Sequence, residues 1–238
     1  MAKWLLMAAL PLAACSASAT GGANPTGTGG VRQFAVADFT GVSLRGSDDV
    51  DVRVGPAFSV RAEGPPEVLD KLEIDRRGDM LVVGRKRGDW RSWNDSGHVR
   101  VFVTMPRIAR ASLGGSGNMS IDQAEGQSFD AAIGGSGNIR IGKLTAQTAE
   151  FSVAGSGNLS ASGSADKLDA SIAGSGDIDA AGLRVRAAEV SIAGSGDLRA
   201  SVNGDASVSL VGSGDVDLGP NARCTTRKVG SGEVRCGK

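Results

Sequence analysis

From Ala109 onward the chain repeats one pattern of apolar and polar positions. Apolar or small residues fall on every second position ahead of a glycine cluster, as in Ala111 and Leu113, Ala131 and Ile133, Phe151 and Val153, and Val190 and Ile192. The same phase resumes beyond the cluster, as in Ile139 and Ile141 or Val216 and Leu218, with Ser, Arg and Asp between. A period of two is the signature of a strand with one buried face. The cluster is Gly-Ser-Gly, beginning at Gly115, Gly135, Gly155, Gly174, Gly194, Gly212 and Gly230, with spacings of 20, 20, 19, 20, 18 and 18 residues. The residue after it is Asn118, Asn138, Asn158, Asp177, Asp197, Asp215 and finally Glu233. Each unit therefore reads as a strand, a tight corner, a second strand and a looser return segment.

A unit of this size, without a helix, cannot bury its apolar face alone, but stacked copies can. The pattern predicts an all-β fold, a right-handed parallel β-helix or β-solenoid of ~20-residue coils. The interior is a ladder of Ile, Leu, Val and Ala. Seven coils at ~4.8 Å each give a rod roughly 34 Å long. An antiparallel sandwich with glycine hairpins is the competing architecture, but hairpins do not demand the same corner at every copy. Glycine permits positive φ and close approach of the next coil. Asn and Asp tolerate left-handed backbone and can bond along a ladder.

A degenerate copy lies upstream: Val42, Leu44, Gly46-Ser47-Asp48-Asp49, Val50 and Val52, with Asp48 in place of the second glycine. An insertion separates it from Gly115. It reads as a strand from Phe58 to Ala62, Pro65-Pro66, a short helix from Glu67 to Leu72, and a hairpin through Arg77-Gly78-Asp79 into Met80 to Gly84. A polar loop and a strand from Val99 to Met105 complete it. Solenoids need ends that block edge pairing, and this charged insertion is the candidate N-terminal cap.

This order of elements resembles the family described as putative auto-transporter adhesin, head GIN domain, over roughly residues 36–235. The residues that carry the resemblance are the early Gly-Ser-x-Asp, the Glu-Val-Leu-Asp-Lys-Leu helix, the Val-Phe-Val-Thr-Met-Pro strand and the Gly-Ser-Gly-Asn/Asp coils. It implies a β-helical body over residues 31–238, with repeats over about 109–236, in a bacterial envelope protein without an established enzymatic site.

The N-terminus carries an address. Lys3 precedes an apolar run from Trp4 to Ala14, too short to span a bilayer and suited to a secretory signal over residues 1–14. Leu12-Ala13-Ala14-Cys15 resembles a bacterial lipobox, which makes Cys15 the acylated residue. Ser16 after it is, by resemblance to proteobacterial lipoproteins, a signal for the outer membrane. Residues 15–30 have no apolar pattern and read as a flexible tether. The membrane, through this anchor, is the first expected partner.

Composition narrows the chemistry. Lys+Arg and Asp+Glu are both 26, so the net charge is zero, which argues against a nucleic-acid partner. With a single histidine, His98, and three cysteines, histidine-based metal sites and a serine triad have little room. No cofactor, metal or catalytic residue is expected. The stacked serines read as structural corners, Asp177, Asp197, Asp215 and Glu233 as solvated corner carboxylates with weak cation binding as the alternative, and Arg87-Gly88-Asp89 as a turn. A polysaccharide-acting β-helix enzyme is the main alternative, but short coils without long loops predict no deep cleft, and a purely structural envelope role is a further one.

The binding expectation rests on Arg85 to His98, which holds Trp90 and Trp93 beside Arg85, Lys86, Arg87 and Arg91. Aromatic rings and cations together suit an envelope glycan, an anionic headgroup or another envelope protein. Packing of both tryptophans over the end of the solenoid is the alternative. Cys224 and Cys236 both fall in inward-facing columns of the last coil, and an exported protein meets an oxidising compartment, so they are expected to form a disulfide.

Overall fold

The computed structural model describes residues 25–86 and 97–237. Within them the N-terminal region contains β1 (Val31–Phe34), β2 (Gly41–Gly46), β3 (Asp49–Val54), β4 (Ser59–Glu63), the single turn of helix α1 (Pro66–Leu69), β5 (Leu72–Arg77), β6 (Met80–Arg85) and β7 (Arg100–Met105). The repeat region contains β8 (Arg110–Gly115), β9 (Asn118–Gly135), β10 (Asn138–Gly155), β11 (Asn158–Gly174), β12 (Ile178–Gly194), β13 (Leu198–Val202) and β14 (Asp205–Gly212). It ends with β15 (Val216–Asp217), β16 (Arg223–Val229) and β17 (Val234–Arg235).

The protein is nearly all β, 69% strand and 2% helix, and forms a parallel β-solenoid of about six turns. Seven Gly-Ser-Gly corners bound six full turns, so the count of corners exceeds the count of turns by one. Alternation produces the ladder. Ala131, Phe151, Ala170, Val190 and Val208 occupy one column, in parallel register and buried. Ile133, Val153, Ile172, Ile192 and Leu210 occupy the next column, also buried.

At each corner the chain above decides the residue. Gly135 has φ +141°, and a Cβ there would collide with the carbonyl oxygen of Gly115 one coil away. That same carbonyl accepts two hydrogen bonds, from Ser136 N–H at 2.9 Å and Gly137 N–H at 3.0 Å. The following column is a side-chain ladder. Asn138 Nδ2 donates to Asn118 Oδ1 at 2.8 Å, and Asn158 Nδ2 to Asn138 Oδ1 at 3.0 Å. Where the column changes to carboxylates, Oδ1 accepts a backbone N–H instead: Asp197 N–H donates to Asp177 at 2.8 Å and Asp215 N–H to Asp197 at 2.9 Å.

The return segment is not loose. β9 and β10 are each 18 residues long and stay paired through their bends, with Leu144 opposite Ala124 and Ala146 opposite Gly126. Parallel copies that bend at the same place keep their hydrogen bonds, so the weakly alternating residues there still form a ladder. Differences in coil length are absorbed mostly soon after the second strand begins, with one residue regained between Val202 and Ala206, opposite Val185 and Ala188. Register shifts fall between Ile141 and Leu144, between Ser160 and Ser162, and between Ala180 and Arg184. The corner columns stay aligned through all of them.

The degenerate copy is the first coil: β2 and β3 pair in parallel with β8 and β9, placing Val42 on Ala111, Leu44 on Leu113 and Val50 on Met119. The insertion does more than cap it. β6 and β7 stack on the other side of β2 and β3, also in parallel, with Val83 on Leu44 and Val101 on Val50. They form one further rung whose corner has been replaced by the segment between Arg85 and Arg100. Antiparallel strands then end the stack: β5 on β6, β4 on β7 and β1 on β4. The helix is shorter than its sequence predicts. It begins at Pro66 and stops at Leu69, because Leu72 already starts β5 and is buried against the core.

Candidate functional site

Two places on this scaffold are built differently from the regular coil. The first is the corner of the extra rung. Asp48 occupies the column of Gly117 and Gly137. A Cβ at Gly117 would strike the Asp48 carbonyl oxygen, so every coil below needs glycine there. Above Asp48 no further Gly-Ser-Gly corner stacks among the described residues. The Asp48 carboxylate is fully buried. It accepts from Arg85 Nε at 3.0 Å, from Arg85 Nη2 at 2.6 Å and from Val99 N–H at 3.1 Å. Arg85 Nη2 also donates to the Gly97 carbonyl at 3.0 Å, and His98 Nδ1 lies 3.3 Å from the Ser47 carbonyl. Both ends of the segment between Arg85 and Val99 are thus fastened to one buried carboxylate.

Arg85, grouped by sequence with the cations of a binding segment, is therefore engaged as a structural partner of Asp48. The other residues of that expectation, Arg87, Trp90, Arg91 and Trp93, lie outside the described residues, as does Cys15. Lys86 and Arg85 also border an open concavity of about 740 Å³ with Arg45, Arg77, Glu73 and Asp75, a mixture of both signs.

The second place is a trough of about 1030 Å³ that runs across the strands from Arg107 to Asn221. Its floor is the column Gly126, Ala146, Ala165 and Val185, which the parallel register stacks directly. Small residues there let the surface fold inward. One wall is the row Glu125, Thr145, Ser164, Arg184 and Ser201, aligned rung by rung. The other is Gln127, Gln147, Asp166, Arg186 and Asn203, of which Asp166 and Arg186 form an ion pair at 3.1 Å. Arg107 and Arg184 have no ion-pair partner among the described residues. The short coils give this open trough without any long loop, a shallow feature that the sequence reading did not anticipate. A run of small and polar residues at one column of the return segment was the available signal, hidden because it lacks alternation.

At the far end, Cys224 and Cys236 are joined, with Cα atoms 6.0 Å apart and a sequence separation of 12. Cys224 sits on Ala206 in the inward column. Among the described residues no group of three or more His, Cys, Asp or Glu is arranged to hold a metal ion, and no helix is long and apolar enough to cross a membrane. Three exposed groups are perturbed: Glu233, its partner Arg235, which is raised, and Lys167. The Arg235 guanidinium, bonded to Glu233 at 2.8 Å, holds that carboxyl below its ordinary range. Asp169 and then Glu189 raise Lys167 above its own.

Solved structures share this fold. A putative adhesin from Bacteroides fragilis NCTC 9343 superposes with a TM-score of 0.75 at 22% identity, covering 89% of this chain and 98% of its own. A putative lipid binding protein from Parabacteroides distasonis ATCC 8503 gives 0.71 at 21%, covering 90% and 97%. A putative adhesin from Parabacteroides merdae ATCC 43184 gives 0.66 at 20%, covering 87% and 95%. No curated protein sequence matches the chain. The model of one sequence family matches residues 38–222, the first coil through the trough's last rung, and on that span the chain belongs to the family described as putative auto-transporter adhesin, head GIN domain.

Proposed function

We propose that this chain is a non-enzymatic, lipid-anchored protein of the bacterial cell envelope that works by presenting its solenoid surface to another envelope component, in the manner of an adhesin. Residues 1–14 direct export, Cys15 carries the acyl chains, and the tether to residue 30 holds the body near the outer membrane. The family description and the adhesin and lipid-binding names of the structural neighbours support an envelope setting. The observation that carries the reading is the trough: an open furrow across the coils, suited to an extended partner lying along the rod. The segment with Trp90 and Trp93 is a second contact candidate by its sequence.

The test has two parts. Wild-type chain should incorporate labelled fatty acid and partition into detergent, and Cys15→Ala should do neither. The Cys15→Ala chain should then be retained on isolated envelope fragments. Failure to bind any envelope fraction defeats the adhesin reading, and unchanged acylation of Cys15→Ala defeats the anchor.

A further inference from the structure

We infer that the trough holds a single extended, uncharged glycan chain lying parallel to the solenoid axis, an inference that rests on the surface-binding reading above. The lining decides the class of ligand. Gln127, Gln147 and Asn203 carry amides, and Thr145, Ser164 and Ser201 carry hydroxyls. Each of these groups both donates and accepts, which matches sugar hydroxyls that do the same. They recur on four of the five rungs, the rung of Arg184 and Arg186 being the exception, at a spacing of ~4.8 Å, so a polymer with a regular repeat meets similar partners along most of the furrow.

Other extended partners fit the same surface less well. An amphipathic helix needs an apolar groove, and this one exposes mainly polar side chains on both walls. A peptide that adds as a strand needs a free sheet edge, yet the floor strands pair with the coils on both sides through Ala146 with Gly126 and with Ala165. A nucleic acid or strongly anionic polymer needs an excess of cations. Here Asp166 neutralises Arg186, and Glu125 opposes the two remaining guanidiniums of Arg107 and Arg184. Carboxylates and guanidiniums that remain are the groups that grip vicinal hydroxyls through paired hydrogen bonds.

The experiment titrates the full chain carrying Cys15→Ala with cello-, manno- and chito-oligosaccharides of increasing length, by calorimetry. One series should bind, with affinity rising with length until the oligomer spans the furrow and then levelling. Gln127→Ala with Gln147→Ala and Asn203→Ala removes exposed side chains only, and should weaken that binding about tenfold or more without changing the melting temperature. Gln127→Glu with Gln147→Glu keeps the size, removes the donors, and should weaken it likewise. Trp90→Ala with Trp93→Ala should leave it unchanged. Equal binding by the trough variants, or loss confined to the tryptophan variant, overturns the assignment of the trough. Retention on envelope fragments with no response to any oligosaccharide overturns the glycan while the adhesin reading stands. No retention on either removes both.

Discussion

At its N-terminal end the solenoid is covered by chain. β4 and β5 run antiparallel to the stack, β1 pairs with the outer edge of β4, and Phe39, Val60, Leu69, Leu72 and Ile74 are buried beneath or within them. Phe39 and Phe58 rings meet at 4.9 Å, and the Arg61 guanidinium lies 4.9 Å from the centre of the Phe102 ring. Among the described residues, no antiparallel strand covers β16 at the C-terminal end. There the inward column turns polar, with Thr226 on Val208 and Lys228 on Leu210, and every residue of β16 except Cys224 is exposed. Lys228 Nζ folds back to the Gly232 carbonyl at 2.8 Å. An interior ladder has to stop somewhere. One end stops it by covering the last apolar rung, the other by removing the need for cover and closing the last coil with a disulfide. Charge on the open edge, Arg223, Arg227 and Lys228, also discourages pairing with a foreign strand.

The largest effect is expected where the covered end depends on one buried charge. Asp48→Gly restores the repeat's own corner residue but leaves Arg85 without its carboxylate. It should cost about 3–5 kcal/mol in urea unfolding, the usual result of removing one partner of a buried pair. Adding Arg85→Met should recover most of that loss. A single Asp48→Gly variant as stable as wild type would show that packing alone closes this end.

Next in size, Cys224→Ser with Cys236→Ser should lower stability by about 2–4 kcal/mol in the chain-entropy view. The loss should be local: hydrogen exchange should quicken in β16 and β17 and leave β9 to β11 protected, because each coil contacts only its neighbours. Uniformly faster exchange would mean that the rod melts as one unit.

A smaller change tests the open edge. Lys228→Leu continues the Ile192 and Leu210 column to the surface, beside Val229 at 69% exposure. The variant should keep its fold but self-associate in sedimentation velocity. If it stays monomeric under conditions where wild type is monomeric, that lysine does not guard the edge.

Smallest of all, Arg235→Ala should let the Glu233 carboxyl titrate at a higher pH, back toward its ordinary range, with no change in melting temperature, since both groups are fully exposed. In wild type the depressed value means the interaction is present at neutral pH and lost as pH falls through the folded-state pKa. Side-chain NMR of Glu233 would read this directly, and an unmoved titration would remove Arg235 as its cause.

Much of this molecule was legible in its residues. Alternation gave the strands, and the recurring Gly-Ser-Gly gave the register, because a corner that must admit the chain above restricts itself to glycine. The first coil at Val42 to Val52 and the separate cap followed from the same columns. The return segment was not legible, since Gln, Thr, Ser and Gly there alternate weakly and owe their strand conformation to neighbouring coils. The trough went unseen for the same reason. The role of Arg85 could have been found: Asp48 stands in a column otherwise held by buried glycine, and a carboxylate there demands a cation at the end of an adjacent strand. Composition instead grouped Arg85 with the cations beside Trp90 and Trp93.

The bend that absorbs differences in coil length has a consequence for how such a rod can change. Residues enter or leave between Ala180 and Arg184, or between Ile141 and Leu144, while the corners and the trough floor keep their alignment. Most of the adjustment thereby falls on one seam of the surface, with one residue regained between Val202 and Ala206, opposite Val185 and Ala188. The trough floor and the glycine seam keep their columns whatever the length of the coil between them. The molecule is in this sense a ruler whose marks are the glycine corners and whose slack is taken up between them.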